Sequence, residues 1–511
     1  MAVWRLWNVL LTLGCFWQLA SAQGLFGQLV EKNADPFLWI DPVYRNQSVF
    51  GNGLFNIPFG QQYGKKLYFS GQDLVGNATG VYSSFAAGPE VDLNYSTPSI
   101  YRQCNDFLDI CYSSSQVDVH FVVFRGLAGF YIRNGPLPFF GDILRSKKVQ
   151  DETFLQPNGS YITKYDWSDF IRTIDYHGVY GDNVGAWVIA PGKDYFIADH
   201  LKQELNLHRE SSTGDAVLLN MLHGTHFMTM NSSDNLLLPG KMWGPWLVYL
   251  NDGSLDDAAA RTRQEYKFWP YPWMDDVKYQ SRGSVSGRLV LDTGEPASGA
   301  AVFLGQPVNG TTMASGGLYQ YTTYADNFGN FKFDAVRTEE IYQLVAWSNG
   351  SKIGHITSVH NGTVVRVTKG HETKLGQITW RTQQRRNIFQ IGDYDRKALG
   401  FKYGGAPYYL FLLERWALLT LSLAGYSQAI GINFTMNGQA FGSLPSLPND
   451  QSVYRSATVA GEWRQLTFDI TAGLITRGWN TLTFNVTSLQ HNTLGTTAKG
   501  AMWDAIILDW A

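Results

Sequence analysis

Cysteine is scarce: the chain has three among 511 residues. Cys15 lies in the first apolar run, which leaves Cys104 and Cys111 for the rest of the chain. With no His or further Cys near them, these two cannot complete a tetrahedral zinc set. An excess of charge of either sign is also missing. Lys and Arg number 40 against 43 Asp and Glu, a formal net charge of −3, so there is no overall basic field for nucleic acid. Beyond the N-terminus no stretch reaches about 18 uninterrupted apolar residues, and no membrane span is expected. Long helical periodicity is rare, and low-complexity tracts and short-period repeats are absent. The chain has no Walker loop, no HExxH pair and no Gly-x-Ser-x-Gly turn between a strand and a helix. Gly60 to Gly64 (GQQYG) is only a Gly-bounded turn. Nucleotide chemistry and α/β-hydrolase chemistry therefore have little support.

Aromatic residues, by contrast, are abundant: 17 Trp, 27 Tyr and 30 Phe, 14% of the chain. Such rings fill β-rich cores and also stack on the C–H faces of sugars. The hydrophobic fraction of 44% allows sizeable cores, and the length suits about three domains. Arg5, the apolar run Leu6 to Leu19 and the small-residue triplet Ala20-Ser21-Ala22 read as a secretory signal peptide over residues 1–22. A secreted, extracellular protein is expected, and in that oxidising compartment Cys104 and Cys111 are expected to form a local disulfide. Asn46, Asn77, Asn94, Asn158, Asn231, Asn309, Asn349, Asn361, Asn433 and Asn485 each sit in an Asn-x-Ser/Thr sequon. So many sequons behind a signal peptide point to a glycoprotein.

Short alternating or apolar runs between Gly, Asn, Asp and Pro clusters predict an all-β chain of sandwiches or barrels. Val117 to Phe124, Gly185 to Ala190 and Trp246 to Leu250 read as strands. One helix is predicted over Ser254 to Phe268, with Ser254 as N-cap and acidic residues in its first turn. The aromatic-proline strip Trp269 to Trp273 marks a boundary. A new strand pattern begins at Ser281 to Leu291 and continues for about 100 residues, the size of a small sandwich. After the charged segment Leu375 to Arg385, a third β-unit of jelly-roll type is expected. The resulting division is 1–22, 23–278, 279–380 and 381–511.

The densest polar cluster is Tyr161 to Gly181, YITKYDWSDFIRTIDYHGVYG, with Lys164, Asp166, Asp169, Arg172, Asp175 and His177. A second, Leu222 to Phe227 (LHGTHF), holds His223 and His226, and a third is Trp243-Gly244-Pro245-Trp246. On alternating strands such residues can line one face. By residue type alone, a strand lysine is more often a solvated edge residue and a histidine among apolar neighbours more often structural.

The order TKYDW, DYHGVYG, GAW, GTHF and WGPW, then FQIGDYDRKALGF at Phe389 to Phe401 and AMWDAIIL at Ala501 to Leu508, resembles the rhamnogalacturonan lyases of polysaccharide lyase family 4. The resemblance spans roughly residues 100 to 511. It implies a large N-terminal β-sandwich of galactose-mutarotase type, a fibronectin-III-like small sandwich and a C-terminal jelly-roll, carbohydrate-binding-like domain. It also implies an endolyase of a pectic polysaccharide. Lys164 in ITKY matches the family's catalytic lysine and His226 in GTHF its catalytic histidine. Substrate-binding cations are expected at Arg145 and Lys148, within FGDILRSKKV at 140–149, and at Arg172, with His177 beside them. The arginine spacing there departs from the family's pattern, and Lys148 cannot make an arginine's bidentate fork.

The residue types suit the reaction. Eliminative cleavage removes the proton at C5 of a galacturonate, next to a carboxylate whose charge must be offset. A lysine whose pKa is lowered in a cationic or desolvated cleft can take that proton, and a histidine can protonate the departing rhamnose oxygen. Lys164 as base and His226 as acid is the implied assignment; the sequence also allows the reverse, and it leaves endo against exo mode open. No cofactor is expected for catalysis. Asp393, Asp395 and Asp504 read either as a structural calcium site or as turn residues. The expected partner is the polysaccharide substrate, with no nucleic acid and no membrane, and the chain is expected to be a monomer. Two other readings remain: a glycoside hydrolase using carboxylates such as Asp166 and Asp175, and a non-catalytic carbohydrate-binding protein of the same fold.

Overall fold

The structure is a computed structural model. It describes residues 35–77, 80–84, 94–114, 117–132, 147–150, 153–155, 161–163, 175–181, 183–195, 207–210, 216–223, 241–305, 319–338, 340–383, 385–401, 416–426, 430–444, 460–461, 463–489 and 501–510. The architecture is all-β, as the strand pattern predicts.

The first domain is built on a seven-stranded antiparallel sheet. Its order is Tyr176–Tyr180, Gly185–Ile189, Trp246–Asn251, Gly129–Ile132, Asp118–Phe124, Phe107–Ser113 and Ser99–Gln103. Alternation along these strands gives the sheet two apolar faces. Ile110, Phe121, Val123, Val188 and Val248 pack in one core with Phe50, Phe55, Ile57 and Phe59 of the N-terminal five-stranded sheet, Phe37 to Asp73. Phe50 meets Phe121 at 4.6 Å between ring centroids and Phe59 meets Tyr112 at 4.3 Å. Ser48 and Tyr112 hydrogen-bond across the sandwich at 2.8 Å, so the buried phenol has a partner.

The opposite face carries Phe107, Val122, Tyr131, Trp187, Leu247 and Tyr249 and is covered by the helix and the aromatic-proline strip. The helix runs Leu255–Phe268, with Ser254 as N-cap accepting from Asp257 N, acidic residues in the first turn and Lys267 in the last. These signals complement the helix dipole and orphan amides, which is why the sequence located it. Its buried side is partly charged. Arg261 bridges Glu265 at 2.6 Å, and Tyr131 and Tyr271 donate to the same carboxylate. A buried carboxylate is tolerable here because a guanidinium and two phenols converge on it.

The second domain pairs two sheets. One has Asn330–Arg337, Arg282–Leu291 and Glu372–Trp380; the other has Gln320–Tyr324, Ala301–Gly305, Ile341–Trp347 and His360–Arg366. They enclose one core that includes Val285, Leu304, Phe331, Tyr342, Leu344 and Trp380. The third domain stacks Asn387–Gly392, Ala501–Trp510, Ala417–Tyr426 and Arg464–Ile470 against Gln439–Ser443, Ile430–Met436 and Leu482–Leu489.

The expected disulfide does not form: Cys104 and Cys111 are not joined. They occupy opposite ends of one hairpin. Cys104 N donates to Phe107 O at the turn, whereas Cys111 pairs with Ser99 at the far end. Four strand residues from Phe107 to Cys111 span about 13 Å, well beyond the Cα separation a disulfide allows, about 4.4–6.8 Å. Thermal unfolding should therefore coincide with and without a reductant, and a lower melting temperature in reductant would contradict the unbridged hairpin.

Of the sequon asparagines, Asn77, Asn94, Asn361, Asn433 and Asn485 are exposed, while Asn46 and Asn349 are half-buried. Asn158, Asn231 and Asn309 lie outside the described residues, as does the segment 1–22. Among the described residues no helix is long and apolar enough to cross a membrane.

Candidate active site

Two short strands lead into the motifs singled out in the sequence. Ala216–His223 runs antiparallel to Leu207–Glu210 and parallel to Val81–Ser84, with a register shift between Asn220 and Leu222. It ends at His223, opposite Ser84, immediately before Gly224-Thr225-His226 in sequence. Tyr161–Thr163 ends immediately before Lys164 and pairs with Thr153–Leu155, which pairs in turn with Lys147–Gln150. In that ladder Lys148 is opposite Phe154, and Phe154 is opposite Ile162, two residues ahead of Lys164 in sequence. Lys164, His226, Arg145 and Arg172 lie outside the described residues, and for Lys148 the backbone alone is described.

His177 is described in full. It lies on the edge strand Tyr176–Tyr180, opposite Val188, and is 7% exposed. Val188 belongs to the core between the two sheets, so alternation places His177 on that inner face as well. Its Nε2 has no hydrogen-bond partner. Burial, with the nearby Lys193 charge, holds the imidazole's pKa well below 6.5. A ring in that state is neutral at physiological pH and brings no positive charge to a substrate. Asp175, one residue earlier, is exposed and accepts a hydrogen bond from Tyr266. Asp166 lies outside the described residues.

The Trp243-Gly244-Pro245-Trp246 segment is fixed by its neighbours. Lys241 lies 5.2 Å from the Trp243 ring centroid, Trp246 is fully buried, and Tyr195 packs on it at 5.8 Å. Met242 N donates to Tyr319 Oη of the second domain.

Sequence reasoning passed over a buried charge cluster at the junction of the first two domains. Asp194 Oδ2 accepts from Arg282 Nη1 at 3.0 Å and Arg337 Nε at 2.9 Å, and Asp194 O accepts from Gln320 N. All three charged residues are buried. Burial alone would raise the Asp194 carboxyl, but the two guanidiniums outweigh it and hold it well below the usual carboxylate range. Each guanidinium also lies over an aromatic ring, Arg282 over Trp269 at 4.8 Å and Arg337 over Tyr319 at 3.8 Å. Nothing in the local sequence around Asp194 announces this partnership.

The candidate calcium residues Asp395 and Asp504 are held in a hydrogen-bonded group in the third domain. Asp504 is fully buried, and its oxygens accept from Ser422 Oγ and Asp395 N. Burial first, then the nearby Asp395 charge, pushes its pKa up. Asp395 Oδ1 is taken by Lys397 N. Among the described residues no group of three or more His, Cys, Asp or Glu is placed to hold a metal ion.

Comparison with known proteins agrees with this architecture. Residues 292–375 match the family model described as polysaccharide lyase family 4, domain II, and residues 413–508 match domain III of the same family. A rhamnogalacturonate lyase of Dickeya dadantii is 27% identical, over 86% of this chain and 91% of its own length. Rhamnogalacturonate lyase B of Emericella nidulans is 25% identical over 64% of this chain, and a probable rhamnogalacturonate lyase B of Aspergillus niger is 24% identical over 61%. The aligned part of the chain spans about half the length of those two fungal proteins, 52% and 46%. The second and third β-sandwiches thus carry domains II and III of polysaccharide lyase family 4 in the expected order, and the chain is similar over 86% of its length to a rhamnogalacturonate lyase.

Proposed function

We propose that the protein is a secreted, glycosylated lyase that cleaves the rhamnose–galacturonate backbone of rhamnogalacturonan by β-elimination. The observation that carries this reading is the similarity to a rhamnogalacturonate lyase over 86% of the chain.

In the proposed reaction the Lys164 amine takes the C5 proton of a galacturonate. The electron pair of that C–H bond forms the C4–C5 double bond, and the C4–O bond to rhamnose breaks. His226 delivers a proton to the departing oxygen, so the products are an unsaturated uronate and a free rhamnose hydroxyl. Cationic side chains at Arg145, Lys148 and Arg172 offset the carboxylate charge that would otherwise oppose proton removal. The neutral, buried His177 takes no part in that offset; its place in the sandwich suits a packing role for the edge strand.

The test is incubation of the protein with rhamnogalacturonan, following ultraviolet absorbance of the conjugated double bond together with new reducing ends. Both should rise in step. Reducing ends without absorbance would mean hydrolysis, and neither would leave a binding protein; each result would refute the elimination.

A further inference from the structure

The Gly60–Gly64 turn takes no part in the proposed elimination, yet its backbone is closed and pinned. Gly60 N donates to Tyr63 O at 2.9 Å across the turn, Tyr95 N to Gln61 O at 2.8 Å, Gly64 N to Val81 O at 2.7 Å and Lys65 N to Pro58 O at 2.8 Å. The turn so fixed presents the side chains of Gln61, Gln62 and Tyr63. With Asn46, Gln47 and Lys65 they line a surface cavity of about 330 Å³, at the small end of ligand-site volumes, about 300–1,000 Å³. Carboxamides, one phenol and one ammonium line it, and no carboxylate does.

One of these lining residues is a sequon asparagine. Asn46 opens Asn46-Gln47-Ser48, and its Nδ2 donates to Gln61 Oε1 of the turn at 3.1 Å. Asn77, Asn94, Asn361, Asn433 and Asn485 are exposed, whereas Asn46 is half-buried. An N-linked sugar is bonded through its C1 to that same Nδ2, so a sugar on Asn46 starts at the cavity with Gln61 in reach. The sequon's hydroxyl is enclosed in the folded protein: Ser48 is 3% exposed, and its Oγ shares a hydrogen bond with Tyr112 Oη of the facing sheet. A sequon is modified as an accessible segment, so the sugar is attached before the first sandwich closes, and the cavity then forms around it.

We propose that Asn46 is a modification site whose first N-acetylglucosamine is seated in this cavity, against Tyr63 and among the carboxamides of Gln47, Gln61 and Gln62. Attachment forms the Nδ2–C1 bond as the C1–O bond to a lipid-linked diphosphate donor breaks and Nδ2 loses one proton. The N–H that remains still donates to Gln61 Oε1. The sugar's hydroxyls and its N-acetyl amide give and take hydrogen bonds, as the glutamine side chains do, and Lys65 adds further donors. Its C–H face suits the Tyr63 ring. Because the sugar is tethered, its effective concentration at the cavity is high, and seating needs little affinity of its own. A seated sugar joins the segment before the Ser48–Gly51 strand to the turn after the Phe55–Phe59 strand. The inference rests on the secreted, glycosylated part of the proposed function and not on the elimination.

The test uses the full chain secreted by a eukaryotic host. Site occupancy is read by glycopeptide mass spectrometry, and stability by thermal melting after every glycan is trimmed to its first sugar. Asn46 should be occupied. Asn46→Gln, which spares the Ser48–Tyr112 bond, should lower Tm by about 2–4 °C. Tyr63→Ala should lower it by a similar amount when the sugar is present and by much less in the Asn46→Gln background, since both changes remove one contact. Turnover of rhamnogalacturonan by Asn46→Gln should stay at the parent level. An empty Asn46 beside occupied sequons elsewhere overturns this site alone, and a chain with no occupied sequon overturns it together with the glycosylated reading. An occupied Asn46 whose loss leaves Tm unchanged, or whose loss adds in full to that of Tyr63→Ala, overturns the seating. Occupancy and coupling in a protein that forms no unsaturated product leave the seated sugar standing and remove the lyase reading.

Discussion

Lys164→Ala should lower kcat on rhamnogalacturonan by about a hundredfold to ten-thousandfold, the range for loss of a positioned proton-transfer group. His226→Ala should fall by a similar factor, and the double variant should cost little more than either alone, because the two act on one step. Lys164→Arg sharpens the assignment. A guanidinium keeps the positive charge and so should keep KM near the parent value, but it does not give up its proton at working pH and should leave kcat as low as in Lys164→Ala. Recovery of turnover in Lys164→Arg would show that the lysine supplies charge rather than a base. Full activity in His226→Ala would remove that residue from the reaction, and His223, the neighbour at the end of its strand, would be the next to test.

The second large effect concerns stability. Asp194→Asn leaves Arg282 and Arg337 buried without their counter-charge and should destabilise the first two domains by about 3–5 kcal/mol at neutral pH. The pH dependence follows from the depressed carboxyl. Its folded pKa lies below the unfolded value of 3.8, so the stabilisation is fully present above that value and is lost as pH falls through the folded pKa. Denaturant unfolding at pH 7 should separate parent and variant widely, and the gap should narrow steadily in strong acid. A gap that is absent at pH 7, or that does not narrow in acid, would refute the ion triad. Because Arg282 starts the first strand of the second domain and Asp194 follows the Gly185–Ile189 strand of the first, the same variant tests what holds the two domains together.

The chain is legible where the signal is local. The Leu255–Phe268 helix was legible because a cap, an acidic first turn and good helix formers are all written within fifteen residues. Alternation in VDVHFVVF marked a strand whose Phe121 and Val123 face one core and whose Val122 and Phe124 face the other. Separation in sequence is a poor guide to separation in space. Cys104 and Cys111 are seven positions apart, but Cys104 sits at the hairpin turn and Cys111 four residues along the second strand, opposite Ser99. His177 looked like one more polar member of a charged cluster, yet strand alternation sends it inward beside Val188. The motifs around Lys164 and His226 were recognisable as words in order, and that order, rather than any property of the single residues, pointed to them.

The sequence by itself determined the all-β class, the helix with its cap, and the succession of three strand-rich segments. Each depends on periodicity and turn chemistry within a few residues. Only the tertiary structure decided that the two thiols stay apart, that His177 is neutral and enclosed, and that Asp194 joins two domains. Those outcomes depend on which distant segments meet: Asp194 reaches Arg282 across 88 positions and Arg337 across 143. Charge burial and hydrogen-bond satisfaction are properties of that meeting and have no local signature in the chain.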